Sequence, residues 1–202
     1  NEEGEAHTTT IDIANEMDIS PGNLYYHFKG KDQIIGELFQ QYEQALSHTL
    51  TAPIEQPLSA DKSDVEANWY YLYVVLEEMY QYRFLYHNLD DLLHRYPDLR
   101  RGFRRLIQLK RATLYAICQA LLEQSIIDAR EQQLLGLVDH MTLTLPFLFH
   151  YDQFVHEARA PQLTLLPGVL QLLTLVAPYL GDEELTFSRD CETIYASMLE
   201  GD

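Results

Sequence analysis

Residues 8–31, TTTIDIANEMDISPGNLYYHFKGK, constrain the fold of this chain more than any other stretch. Thr8, Thr9 and Thr10 stand before apolar residues at Ile11, Ile13, Ala14 and Met17. A hydroxyl in that place satisfies amide protons that the first turn of a helix leaves unpaired, so a helix is expected from about Thr10 to Met17. Asp18 interrupts the pattern, Ile19 restores one apolar side chain, and Ser20-Pro21 offers an N-cap followed by proline at the first helical position. The missing N–H of proline costs nothing there, and a second helix is expected over 21–28. Two short helices joined by so few residues predict a helix-turn-helix, whose second helix offers its N-terminal side chains to a DNA major groove.

In that second helix Leu24 and Phe28 lie four apart and should face inward. Pro21 and Gly22 then lead the exposed side with almost no side chain, and Gly22 allows close backbone approach. Asn23 suits a base edge or a phosphate, Tyr26 a base or thymine methyl, and Tyr25 and His27 phosphates. Thr9 or Thr10 can donate to a phosphate while also capping, and Lys31 stands just beyond the helix as a phosphate anchor. By spacing alone, aromatic side chains placed like these are more often core than contact.

The succession Thr9-Thr10, Ile13-Ala14, Ile19-Ser20, Leu24-Tyr25-Tyr26-His27-Phe28 and Lys31 resembles the DNA-binding half of TetR-type one-component regulators. Aligned with that pattern, Tyr25, Tyr26 and His27 become contacts rather than core. The resemblance covers about the first fifth of the chain. Residues 20–28 (SPGNLYYHF) and 81–92 (QYRFLYHNLDDL) are similar, more narrowly, to regulators associated with polyhydroxyalkanoate gene clusters. Residues 1–10 (NEEGEAHTTT) resemble the tail of the family's first helix, so a preceding, commonly basic segment is expected. The resemblance implies an all-α, homodimeric protein without cofactor or enzymatic activity. Its N-terminal DNA-binding domain precedes a larger helical domain for effector binding and dimerisation.

A net charge of −17 opposes a DNA-binding reading, because phosphate neutralisation needs lysine and arginine. Locally the objection weakens: residues 19–31 hold Lys29, Lys31 and His27 and no carboxylate. The acidic remainder discourages nonspecific association with nucleic acid. No apolar run in the sequence reaches bilayer-spanning length and no secretory leader is evident, so a cytoplasmic protein without membrane contact is expected. Cys118 and Cys191 lack metal-type spacing and read as free buried thiols.

Residues 31–50 carry a helical stripe through Ile34, Ile35, Leu38, Phe39, Tyr42, Leu46 and Leu50. In the family such a helix connects the two domains and moves the DNA-binding one. The loop 51–63, with two prolines, sets the boundary between domains 1–50 and 51–202. Residues 64–86 hold six of the 14 tyrosines and the single tryptophan. Trp69, Tyr73, Leu76 and Tyr80 share a helix face there, as core or as the wall of a ligand cavity. Between 95 and 111 lie seven of the 14 basic residues. They form either a solvated, ion-paired face or, through Arg101 and Arg105, the mouth for an anionic effector such as an acyl-coenzyme A or a fatty acid.

Residues 128–155 and 166–180 read as two strongly apolar helices, the first kinked at Pro146 and the second bracketed by Pro167 and Pro178. Family members dimerise through their last two long helices. Leu134, Leu137, Val138, Met141, Leu145, Val169, Leu172, Leu173 and Val176 are therefore either that interface or intrachain core. His140, His150 and His156 could line the cavity or the interface, or be structural. The tail 182–202 is acidic with a final amphipathic turn or two. The expected function is a ligand-responsive transcriptional regulator, a repressor released from its operator by a small hydrophobic or acyl-type effector. A rival reading is an all-α metal-dependent enzyme built on His87, Asp91 and His94, at i, i+4 and i+7. A third is an interaction protein that has lost DNA binding.

Overall fold

A computed structural model describes residues 4–55, 65–87, 89–156 and 160–200, and among them the regular structure is entirely helical. Three short helices, α1 (Gly4–His7), α2 (Thr10–Glu16) and α3 (Pro21–His27), open the chain. Thr9 caps α2 in a capping box: its hydroxyl accepts from the Asp12 amide at 3.2 Å, and its own amide donates to the Asp12 carboxylate at 2.8 Å. Asp18 makes the turn with φ of +53°, a left-handed conformation that aspartate tolerates better than most residues. Ser20 then caps α3, accepting from the Asn23 amide at 3.2 Å, with Pro21 at the first position.

The helix α4 (Lys31–Glu55) ties two cores together. Ile34 closes a small core with Ala14 and Leu24, helped by Ile13, Ile19, Phe28 and Leu38. Its neighbour Ile35 faces the other way and begins a stripe, Phe39, Tyr42, Leu46 and Leu50, that enters the large core. Since α4 is 25 residues long, it spans about 37 Å at 1.5 Å per residue. The helix continues past Leu50 through Glu55, beyond the predicted loop start at Thr51. Pro53 is buried, and the Leu50 carbonyl accepts from Thr113 at 2.7 Å, so packing holds this last turn. The rest of the predicted loop, 56–63, lies outside the described residues.

The large core is built from α5 (Val65–Gln81), α6 (Phe84–His87), α7 (Leu89–Arg95), α8 (Pro97–Glu123), α9 (Glu131–Val155), α10 (Gln162–Thr174) and α11 (Glu184–Glu200). α8 packs along α4 and α9, while α10 sits against α5, α9 and α11. Gly102 of α8 lies so close to α4 that a Cβ there would overlap the Phe39 ring. α8 ends in a Schellman pattern. Ser125 (φ +57°) donates to Leu122 at 3.0 Å and Ile126 donates to Leu121 at 2.9 Å.

Several boundaries depart from the sequence reading. α10 starts at Gln162 and runs through Pro167, which therefore lies inside the helix and does not bracket it. The tail forms a 17-residue helix instead of a turn or two, because α11 finds α5 and α10 to pack on. Gln162–Tyr179 is long and apolar enough by composition to cross a bilayer, contrary to the sequence expectation, yet half of it is buried inside the protein.

Candidate nucleic-acid interface and ligand cavity

The outer face of α3 is assembled as its spacing requires. Leu24 is buried and Phe28 half-buried in the small core, leaving Pro21, Gly22, Asn23, Tyr25, Tyr26 and His27 exposed. Tyr26 projects furthest, 85% exposed, with the His27 ring edge-on to it at 5.2 Å. The hydroxyls of Thr10 and Tyr25 meet at 3.0 Å and join the start of α2 to the middle of α3. Thr9, Thr10, Asn23, Tyr25, Tyr26 and His27 thus offer a set of hydrogen-bonding groups on one side of two helices.

Lys31 is placed differently from the other predicted residues of this face. Its amine is 2.8 Å from a Glu5 carboxylate oxygen and also donates to the Glu5 carbonyl. Glu5, its side chain only 3% exposed, is further gripped by Arg95 at the end of α7 and by the Tyr96 hydroxyl at 3.0 Å. Arg95 also pairs with Asp91 at 2.7 Å. Burial alone would raise the Glu5 pKa, but hydrogen bonds from Lys31, Tyr96 and Arg95 and the Lys31 charge outweigh it and hold the carboxyl below its ordinary value. This cluster fastens α1 to the end of α7 and the residue that precedes α8. No sequence spacing pointed to it, because 90 residues separate Glu5 from Arg95.

A second link runs through the buried centre. The Tyr42 and Tyr86 hydroxyls share a hydrogen bond, and Lys110 donates to Tyr86 at 3.2 Å. Lys110 is 2% exposed and faces the Tyr86 ring at 5.5 Å; burial pushes its amine down to about 7. Above this, Arg105 makes a bidentate pair with Glu43 of α4, both bonds 2.8 Å long.

A cavity of about 930 Å³ opens among α5, α8, α10 and α11. Its buried wall includes Leu72, Leu114, Cys118, Met141 and Leu173; its more open part holds Gln124, Ser125, Glu183 and Asp190. From α5 the lining residues are Val65, Asn68, Tyr71 and Leu72. The Tyr71 hydroxyl is shut from solvent and has no hydrogen-bond partner among the described residues.

The sequence-selected ligand residues stand elsewhere, and none of them lines this cavity. Trp69 is fully buried against Tyr195, with ring centroids 6.5 Å apart. Tyr73 packs against the large core, and Tyr80 lies 6.1 Å from Phe149 with the Arg83 guanidinium 4.3 Å from its centroid. Arg101 is exposed and pairs with Asp98 one turn away on its own helix, while Arg105 reaches Glu43. The aromatic stripe was found correctly as a helix face; the face beside it is the one that meets the cavity. Cys118 and Cys191 are free and buried, as their spacing suggested.

Two further expectations change. His87 ends α6 while Asp91 and His94 belong to α7, so the proposed i, i+4, i+7 face is broken. Asp91 is held by Arg95, and among the described residues no group of three His, Cys, Asp or Glu side chains could hold a metal. The nine residues offered as interface or core are core: Leu134, Leu137, Val138, Met141, Leu145, Val169, Leu172, Leu173 and Val176 are all buried within the chain. What α9 exposes instead is Leu143, Phe147, Tyr151, Phe154 and Val155, with Phe154 82% exposed. Because α9 is apolar on two sides, residue type could not tell the inner face from the outer one. Of the histidines, His140 and His156 are exposed, whereas His150 lies between Phe147 and Phe154 at 6.1 and 6.4 Å, its buried Nδ1 without a partner among the described residues.

Comparison with known proteins returns one consistent answer. Residues 41–186 match the TetR family described as bacterial transcriptional repressor, and residues 1–38 match the family of bacterial regulatory proteins, tetR family. A crystal structure of a TetR-family transcriptional regulator from Marinobacter aquaeolei VT8 superposes with a TM-score of 0.78 at 29% identity, covering 96% of this chain and 89% of that one. The HTH-type transcriptional repressor KstR2 of Mycolicibacterium smegmatis is 42% identical over a stretch covering 24% of this chain and 27% of that protein. The chain thus spans about a quarter of the length of the curated relative it matches.

Proposed function

The chain belongs to the TetR family of bacterial transcriptional regulators, and from that premise we propose that it acts in the cytoplasm as a homodimeric repressor released from its operator by a small, largely apolar effector. The observation that carries this reading is the double attachment of α4. Ile34 packs in the small core and Ile35 in the large one, so a displacement of α4 at the cavity end must be felt by α3.

On the DNA side, α3 enters the major groove. Gly22 lets the backbone approach, Asn23 and Tyr26 meet base edges, and Thr9, Thr10, Tyr25 and His27 meet phosphates. Lys31 joins the phosphate contacts only by sharing its amine between DNA and Glu5, since Glu5 already binds it. Pro21 shortens the leading edge of the helix and leaves specificity mainly to Asn23 and Tyr26. The exposed row Leu143, Phe147, Tyr151 on α9 supports dimerisation, because three large apolar side chains at i, i+4 and i+8 form one continuous stripe.

The effector occupies the cavity beside α5 and α8, whose volume suits a drug-sized ligand and whose buried wall suits hydrocarbon. The tail of an acyl-type molecule fits such a wall. Two recognition helices of a dimer bind successive major grooves when they stand about 34–36 Å apart. An effector that favours another separation weakens DNA binding by the difference in its affinity for the two arrangements.

Selection of operators from random duplexes with the purified chain tests this directly. The expected result is a palindromic site, bound by a dimer with steep salt dependence. Failure to enrich any sequence, with binding indifferent to salt, would remove the regulator reading.

A further inference from the structure

The charge on the cavity wall is one-sided. None of the described residues that line it is lysine, arginine or histidine, while Glu123, Glu183 and Asp190 stand at its exposed part. The arginine-rich start of α8 contributes nothing here, because Arg101 and Arg105 are engaged with Asp98 and Glu43 away from the cavity. A carboxylate or phosphate entering this space would give up hydration and, among the described residues of the wall, meet only negative charge. A positive group would meet the opposite.

Three aromatic rings complete the wall, those of Tyr71, Tyr115 and Phe187. Ring faces attract cations through their quadrupole, more strongly where water is excluded. The Tyr71 hydroxyl, buried and without a hydrogen-bond partner among the described residues, adds a neutral polar group to the wall and no positive charge. Burial raises the pKa of that phenol, so it stays neutral. Because the carboxylates are at the exposed part, a charged head group could rest there without full desolvation while its hydrocarbon reaches Leu72, Leu114 and Leu173.

Resting on the reading of this cavity as the effector site, we propose that the effector is a lipophilic cation: an amine or quaternary ammonium head at the rim of Glu183 and Asp190, with an apolar body between α5, α8 and α10. This separates the hydrocarbon of an acyl ligand, which the wall accepts, from its anionic head, which it does not.

Three probes with one tail test the proposal by calorimetry at pH 7.5 and low salt, below micellar concentration: decylamine, decanol and decanoic acid. Decylamine is expected to bind one site per chain roughly tenfold more tightly than decanol, with decanoate the weakest, as cation–π and charge-pair magnitudes suggest. Competition between decylamine and decanol identifies a single shared site. The double variant Glu183→Gln with Asp190→Asn, both exposed, is expected to erase the amine preference and leave decanol binding unchanged. Equal binding of decanol and decylamine, or tightest binding by decanoate, would overturn the cation proposal and leave the cavity reading standing. Heat from none of the three would remove the cavity reading itself.

Discussion

Lys110 is a residue whose surroundings oppose its charge: it is buried against the Tyr86 ring, and among the described residues its amine makes one hydrogen bond, to the Tyr86 hydroxyl. Its folded pKa is lowered to about 7 from 10.5, so between those values the unfolded chain binds the extra proton and stability rises with pH. Lys110→Met should flatten that rise in chemical denaturation and raise stability at pH 7 by about 1–3 kcal/mol, as apolar replacement of a buried charge often does. On the face of α3 proposed to meet DNA the opposite situation holds, since Tyr26 touches little of its own chain. Tyr26→Ala is expected to weaken operator binding by roughly tenfold or more while leaving the melting temperature unmoved, on the scale of one lost base contact. Titration with labelled duplex and a thermal melt check the two halves of that statement. At this scale the sequence was informative about Tyr26 and silent about Lys110. A helix-turn-helix is local, so spacing alone orients its side chains; Lys110 sits in a run of arginines, and it is buried by the packing of α8 in the large core, against Tyr86 of α6.

Between elements, the attachments that matter are made by residues distant in sequence. Glu5 fastens α1 to α7 and α8, and its pKa is lowered in the folded state, so its contribution is present above the unfolded value near 4.5 and is lost as pH falls through the lower folded value. Glu5→Gln should cost about 1–2 kcal/mol at pH 7 and reduce the loss of stability on acidification, measured by urea unfolding at pH 7 and pH 4. If the cluster also transmits the effector signal, this variant will bind operator but respond less to ligand. Gly102 is the counterpart in packing. Gly102→Ala must push the Phe39 ring aside and should cost about 1–3 kcal/mol, the usual range for overpacking. Calorimetric melting reads it.

At the scale of the molecule, the exposed apolar row of α9 predicts the state of assembly. Phe147→Glu places a charge in the middle of it, and sedimentation should then show a monomer with unchanged helicity and operator affinity lowered at least tenfold. A dimer that survives this change would move the interface to another face.

The sequence alone determined the N-terminal helices to within a residue or two. Their caps at Thr9 and Ser20, the proline at 21 and the inward pair Leu24 and Phe28 all act over a single turn. It also determined that the remainder is helical, through the 3.6-residue period of its apolar positions. Only the tertiary structure decided which face of each helix meets which partner. It turned the Trp69 stripe into core and its neighbour Tyr71 toward a cavity. It made core of the inner residues of α9, left Phe147 outside, and set Arg101 and Arg105 against Asp98 and Glu43, away from the cavity. Periodicity says that a helix has an apolar side. When two sides are apolar, the choice is made by the shapes of the helices that arrive beside it.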